Sequence, residues 1–524
     1  MMLKNIFVAI AALMVFQMSH AQPANGKFKL TQGPEYEGKR SFISSVIGRI
    51  GDGVVICRYE KSHPNLELLN DKAVVLKSVP LVDLKHLKFD KDYVGAFVLG
   101  GKLYVRFGAM DRKGKKGYGI IDEYDATTLA FKSNVVTESF EMESAKRVYW
   151  YGIGLNRAIS EMSENGFYIS NEAKYVVDYS SAYDKDKSKA ENINMRVYDE
   201  NMKMKWEREF EIPYTNDLFK IQKVIVDENG NTHLLGKEYF EKVRTERKGK
   251  PNYKYHVISF LNDGKTVKDN ALVVDANFIT DAAIGITSDG FLVASGFYGS
   301  SSNFSIDGSY SVKINIQEQK IISTNKKPFD KDFIQNGMTE REKKRSDKKE
   351  EKGEDLEMPE FDLDRMVLLP DGGWMLMAEQ FYITTRTYTS VGSNGSTSTR
   401  TVTVYNYDDV IVVRMNPNGE IVWNAKVNKR QATSGATSLL SYAWTYCNGT
   451  TYLVYNSYPG TSDNVVYASV IAPDGTITKE TVMSGGKHEL NIHPEYSYRT
   501  KECQLLLYGA KKKSYQFSIM DIPK

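Results

Sequence analysis

Acidic residues stand at many of the turn-forming positions of this chain: Asp289, Asp371, Asp408, Asp409 and Asp474. Two carboxylates facing a sugar are what glycoside hydrolysis requires, one to protonate the leaving oxygen and one to attack or to activate water. Asp also favours turns for its own reasons, since its side chain bonds nearby backbone N–H groups. Turn propensity accounts for all five without any chemistry. His488 and His493 are close in sequence but lack the helical i, i+4 spacing and the carboxylate pattern of zinc sites, and read as ordinary surface or core histidines. Gly152-Ile153-Gly154 with Ala158 partly matches a dinucleotide loop. That loop needs a strand before it and a full helix after it, and Asn165-Gly166 ends any helix early. No HExxH, CxxC or GxSxG stretch occurs. The aromatic clusters Tyr149-Trp150-Tyr151 and Tyr442 to Tyr446 suit stacking on sugar rings, but large aromatics mostly serve as core, and packing is the expectation. No catalytic residue, metal ligand or cofactor is therefore assigned, and the binding residues stay open.

The elements that must position these residues read as short strands. The clearest stretch runs from Asp371 to Trp423 and is expected to hold four antiparallel strands, two hairpins in series. Asp371-Gly372-Gly373 is a tight turn, followed by the apolar "WMLMAEQFYI". "DVIVVRM" is a second buried strand, β-branched almost throughout. Asn416-Pro417-Asn418-Gly419 turns the chain into "EIVWNAKV", with Ile421 and Trp423 expected on one face and Val422 on the other. Weaker copies of a turn followed by an apolar strand begin near Gly51, Gly100, Glu164, Glu228, Ser288, Cys447 and Lys501. Recurrence at about 50–80 residues is the signature of propeller blades with insertions. The expected fold is all-β, a propeller of four-stranded antiparallel blades, eight in number, with seven as the alternative. The last unit, from Glu489, stops short of an outer strand. The orphan strand Gly26 to Gly33 can supply it and close the ring, which also removes an exposed edge.

Insertions interrupt the pattern. Residues 330–360 are dense in charge of both signs and read as a solvated excursion or a frayed helix. Residues 384–403, Ser/Thr-rich around Asn394-Gly395, suggest a hairpin reaching beyond its blade. Lys4, the apolar run Ile6 to Phe16 and Ser19-His20-Ala21 together read as a signal peptide over residues 1–21. Residues 22–524 then form a single exported propeller domain, periplasmic or extracellular, with no membrane insertion. Net charge of +3 carries no nucleic-acid footprint. The three cysteines, Cys57, Cys447 and Cys503, are expected as buried free thiols. A Cys447–Cys503 bond remains the alternative in an oxidising compartment.

The reference stretch resembles blades of bacterial secreted propellers, with a D-G-G-aromatic opening and an N-x-x-G-x-x-x-W close. It is similar to the pyrroloquinoline-quinone-like repeat, with Gly419 and Trp423 holding the closing Gly and Trp. Looser versions lie at Asp125, Thr128 and Phe131, and at Asp199 and Trp206. The resemblance covers about a tenth of the chain and implies fold, not activity. No cofactor-ligand set of the quinone enzymes is present. The functional expectation is a monomeric, non-catalytic module that binds or scaffolds an envelope protein or glycan. The alternative is a carbohydrate hydrolase or lyase working in the propeller funnel.

Overall fold

A computed structural model describes residues 28–522, except 142–166, 182–189, 242–245, 301–304, 353–357, 484–490 and several stretches of one to three residues. Eight antiparallel sheets of four main strands succeed one another along the described chain. Blades 1 to 7 span 41–80, 89–141, 167–215, 219–272, 278–328, 362–427 and 443–483. Blade 8 spans 491–521, and its outer strand is Lys29–Glu37 from the other end of the chain. Lys29 pairs with Asp521 and Glu37 with Ser514, so the ring closes where the orphan strand predicts. The protein is an eight-bladed β-propeller, and the seven-blade alternative falls away because 41–80 is a complete sheet.

Alternation along each strand sends successive side chains to opposite neighbours. In Trp374–Val391, Trp374, Leu376 and Ala378 pack against blade 5, while Met375 and Met377 pack against blade 7. The buried apolar residues accordingly form eight separate clusters, one per seam between adjacent blades. The last of them joins Ile43, Val54 and Ile56 of blade 1 to Leu506, Tyr508 and Phe517 of blade 8. Burial of one such large side chain contributes roughly 2–3 kcal/mol. Strand breaks are set by tight turns, with Gly372 (φ 83°) and Gly419 (φ 85°) in the left-handed region that disfavours other residues.

Four expectations need correcting. The stretch from Asp371 to Trp423 begins one strand late, because the innermost strand of blade 6 is Asp362–Leu368, a less apolar segment before the turn. Ile421 and Trp423 do not share a face. Met415 pairs with Ile421 but Arg414 pairs with Trp423, so a bulge at Val422 turns Ile421 towards blade 5 and Trp423 towards blade 7. Cys447 and Cys503 are bonded, with Cα atoms 4.5 Å apart, and only Cys57 is free. The inner turns of blades 7 and 8 touch there, since Cys503 N donates to Tyr446 O at 3.2 Å. Finally, the charged insertion is anchored as well as solvated. It forms helices Lys331–Gln335 and Glu340–Glu351. Asp330 caps the first, and Ile334 is buried in the seam of blades 5 and 6. The second opens on a capping box in which Glu342 accepts from Thr339 N at 2.7 Å. The 384–403 hairpin is present as expected, continuing Trp374–Val391 into Thr397–Met415.

Candidate functional site

The two ends of the blades differ. Connections between strands 1 and 2, and between strands 3 and 4, are uniformly tight, as at Gly51-Asp52, Gly100-Gly101 and Asn448-Gly449. Long connections fall between strands 2 and 3 or between blades, and antiparallel pairing puts both kinds on the opposite end. The 384–403 hairpin and the two helices therefore stand on one face of the ring. A rigid frame with variable loops on one face is how binding surfaces are usually carried.

The turn acids divide along the same line and do not converge. Asp289, Asp371 and Asp474 occupy the tight-turn face. Asp371 accepts from Gly373 N at 3.0 Å and pairs with Arg414. Asp289 pairs with Lys313 at 3.1 Å, and Asp474 accepts from Thr476 N at 2.9 Å. Asp408 and Asp409 lie at the other end, bonded to Tyr382 at 2.8 Å and facing Lys426 at 3.6 Å. These acids build turns and seams.

A different set of carboxylates does gather, on the inner strands of blades 5 and 6 near the insertion face: Asp281, Asp362 and Asp364. Burial pushes the Asp281 carboxyl up to about 6, against the pull of N–H groups from Leu363 and Ala282. Partial desolvation by neighbouring side chains also raises Asp362 and Asp364 above the ordinary range, although both keep a face exposed to solvent. Asp281 accepts from Leu363 N at 3.0 Å and Ala282 N at 2.8 Å, and Asp364 accepts from Tyr442 Oη at 2.6 Å. Asp364 sits in a bulge between Leu363 and Arg365, which points both Asp364 and Arg365 at blade 7. Similar irregularities occur in the inner hairpins of blades 1, 2, 4, 5 and 8. The next inner strand carries Trp444, with the Arg365 guanidinium 5.8 Å from its ring centre and that of Arg499 from blade 8 at 5.4 Å. Of the expected aromatic cluster, Tyr442 and Tyr446 are core, and Trp444 alone is part-exposed towards this mouth.

Beside the mouth, a buried polar network ties blades 6, 7 and 8. Glu379 and Lys429 form an ion pair that is almost sealed from solvent. Burial raises the carboxyl and lowers the ammonium. Lys429 Nζ also donates to Tyr407 O at 2.9 Å and Gln431 Oε1 at 3.0 Å. Gln431 reaches Asn456 O at 2.7 Å, and Asn456 Nδ2 reaches Ile492 O at 2.7 Å. Between this network and the helical insertion lies a cavity of about 440 Å³, lined in part by Asp409, Arg430, Tyr458 and Lys479.

Neither His493 nor His233 is placed as a catalytic base. His493 bonds Ser438 at 2.9 Å and is lowered to about 4 by burial. His233 lies 2.9 Å from Ser259 and 3.8 Å from Asp227, a Ser–His–Asp grouping in type. All three are buried and Asp227 is engaged with its own turn at Asn229 and Asn231, so no substrate reaches them. No group of three or more ligating side chains suited to a metal occurs among the described residues. His488, Tyr149-Trp150-Tyr151, the Gly152–Ala158 stretch and residues 1–21 lie outside the described residues. Two features had no sequence signal. The first is the Arg365–Trp444–Arg499 group, whose members are 55 or more positions apart in chains of unrelated pattern. The second is Lys237, held 3.7 Å over the Tyr253 ring and lowered to about 8 by burial.

No protein-family model matches the chain, and no curated protein matches it. Among solved structures it is similar to prolyl oligopeptidase B from Galerina marginata at 9% identity and a TM-score of 0.39, covering 92% of this chain and 55% of that one. An α-L-arabinanase from Penicillium chrysogenum aligns at 10% identity and a TM-score of 0.31, over 70% of this chain and 98% of the other. Polysaccharide lyase Uly1 aligns at 11% identity and a TM-score of 0.27, over 69% and 90%. The chain spans little more than half the length of the prolyl peptidases. At such scores these likenesses say nothing about chemistry.

Proposed function

We propose that this propeller is an exported, non-catalytic scaffold that binds a protein partner of the cell envelope through its insertion face. The observation that carries the reading is the ribbon beyond Phe381. Among the described residues its two strands pair only with each other from Thr384↔Val404 to Val391↔Thr397, so both edges are open. An isolated two-stranded ribbon is marginal in water, and open edges template further pairing. Ile383, Tyr388 and Val391 are each more than half exposed. Residues 384–403 hold Arg386 and Arg400 and no acid. The partner that fits is an extended, acidic protein segment added to the ribbon edge. Export rests on the signal-like residues Lys4 and Ile6 to Ala21.

A photo-crosslinking residue at Tyr388 tests this in the native cell, with Asn418 in a tight turn as the control. One defined envelope protein captured from position 388 and not from 418, and lost when Arg386→Glu and Arg400→Glu are added to the same crosslinking chain, supports the scaffold. No adduct at 388, or equal adducts from both positions, sinks it.

The second reading is a carbohydrate hydrolase or lyase, favoured by the gathering of Asp281, Asp362 and Asp364 at one mouth. Against it, Asp281 and Asp364 already serve protein donors. New reducing ends or unsaturated products from a polysaccharide panel, abolished by Asp362→Asn, would establish it in place of the first.

A further inference from the structure

The channel wall at blades 6 to 8 has a chemistry that the ribbon does not explain. Trp444 stands on the innermost strand of blade 7, Ala443–Cys447, and is part-exposed. Arg365 reaches it from blade 6 and Arg499 from blade 8, each within cation–π range of the indole ring. Arg365 also lies 5.7 Å from the Tyr442 ring. Among the described residues neither guanidinium has an ion-pair partner or a side-chain hydrogen bond, and Arg365 Nε is buried without an acceptor. Both are part-buried, and each guanidinium brings five N–H donors that suit an oxyanion. Burial lowers Arg499 below its ordinary value, against the pull of Glu502. Asp364 acts on Arg365 and Glu502 on Arg499 through charge, but neither acid comes within ion-pair distance; Asp364 also accepts from Tyr442, and Asp281 is bonded to backbone amides. Asp362, exposed at the start of its strand, is free to accept from hydroxyl groups.

We infer that this mouth is a binding site for a saccharide bearing a carboxylate, with Arg365 and Arg499, held on Trp444, taking the acid and Asp362 the hydroxyls. The indole holds the two guanidiniums in place by cation–π contact, and the paired guanidiniums supply the selection for charge. A packed cation–π ladder with no ligand is the competing account, and it makes opposite predictions.

The test uses the full chain, with trigalacturonate, its fully methyl-esterified form and inorganic phosphate as probes in titration calorimetry. Trigalacturonate is expected to bind at least tenfold more tightly than the ester. Arg365→Gln and Arg499→Gln each weaken the acid at least tenfold and leave the ester unchanged, and Trp444→Ala weakens the acid as well. Arg365→Lys and Arg499→Lys keep the charge and guard against misfolding. They retain most of the preference for the acid, while melting temperature is followed for every variant. Replacing residues 385–403 by Asn-Gly leaves sugar binding untouched, which separates this site from the ribbon. Equal binding of acid and ester, binding of neither, wild-type affinity in both Arg→Gln variants, or displacement of the sugar by equimolar phosphate each overturns the inference.

Discussion

Two buried groups should oppose one another as pH changes. Asp281 has a folded value of about 6 against an ordinary 3.8, chiefly through burial. A raised acid favours the folded state most below pH 3.8, and that contribution is lost as pH climbs through about 6. Asp281→Asn removes the effect, so the variant should gain on the wild type between pH 4 and pH 7, by about 2 kcal/mol. His493 works the other way, lowered to about 4 from 6.5 by burial. Its contribution is present above pH 6.5 and lost as pH falls through about 4. His493→Asn should therefore gain on the wild type as pH falls over that range. Thermal melts at unit intervals of pH read both difference curves, and two flat curves would show that neither group titrates between folded and unfolded states. Neither residue announces this in the sequence. Asp281 sits in a strand of ordinary pattern, and its shift comes from burial in the closed ring, which the Leu363 N–H from the next blade opposes.

The elements were legible to different degrees. Turns carrying Asp-Gly or Asn-Gly were plain, because glycine at positive φ has a mechanism in the sequence itself. Second and third strands were plain too, being buried on both faces. Innermost strands such as Asp362–Leu368 were not, because they line an axis, carry charge and are broken by bulges. The same irregularity hid the facing of Ile421 and Trp423. The disulfide depends on how closely two inner turns approach, which spacing of 56 residues does not reveal. Replacing Cys447 and Cys503 together by Ser should cost about 2–4 kcal/mol in denaturant unfolding, and no loss would mean that the bond adds little to the seam of blades 7 and 8. The ribbon makes few contacts with the ring, so excision of residues 385–403 should leave stability within about 1 kcal/mol. A larger drop would mean that the ribbon supports its blade.

For the whole molecule, closure depends on a strand from the far end of the chain. Deleting residues up to Glu37 strips blade 8 of its outer strand and exposes the edge Ser514–Asp521. It also takes Leu30 from the blade 7 and 8 cluster. The expected outcome is a markedly lower melting temperature with concentration-dependent association, read by light scattering. A monomer as stable as the full chain would mean that the ring does not need this fastening. Periodic hydrophobicity and turn chemistry are local properties, and they determined the second and third strands, the repeat and the need for a closing strand, while the choice of eight blades over seven took the complete sheet at 41–80. Which side chains meet across a seam is not local. Arg365, Trp444 and Arg499 come together because blades 6, 7 and 8 turn their inner edges to one axis and a bulge re-aims the first of them, and only the closed ring decides that.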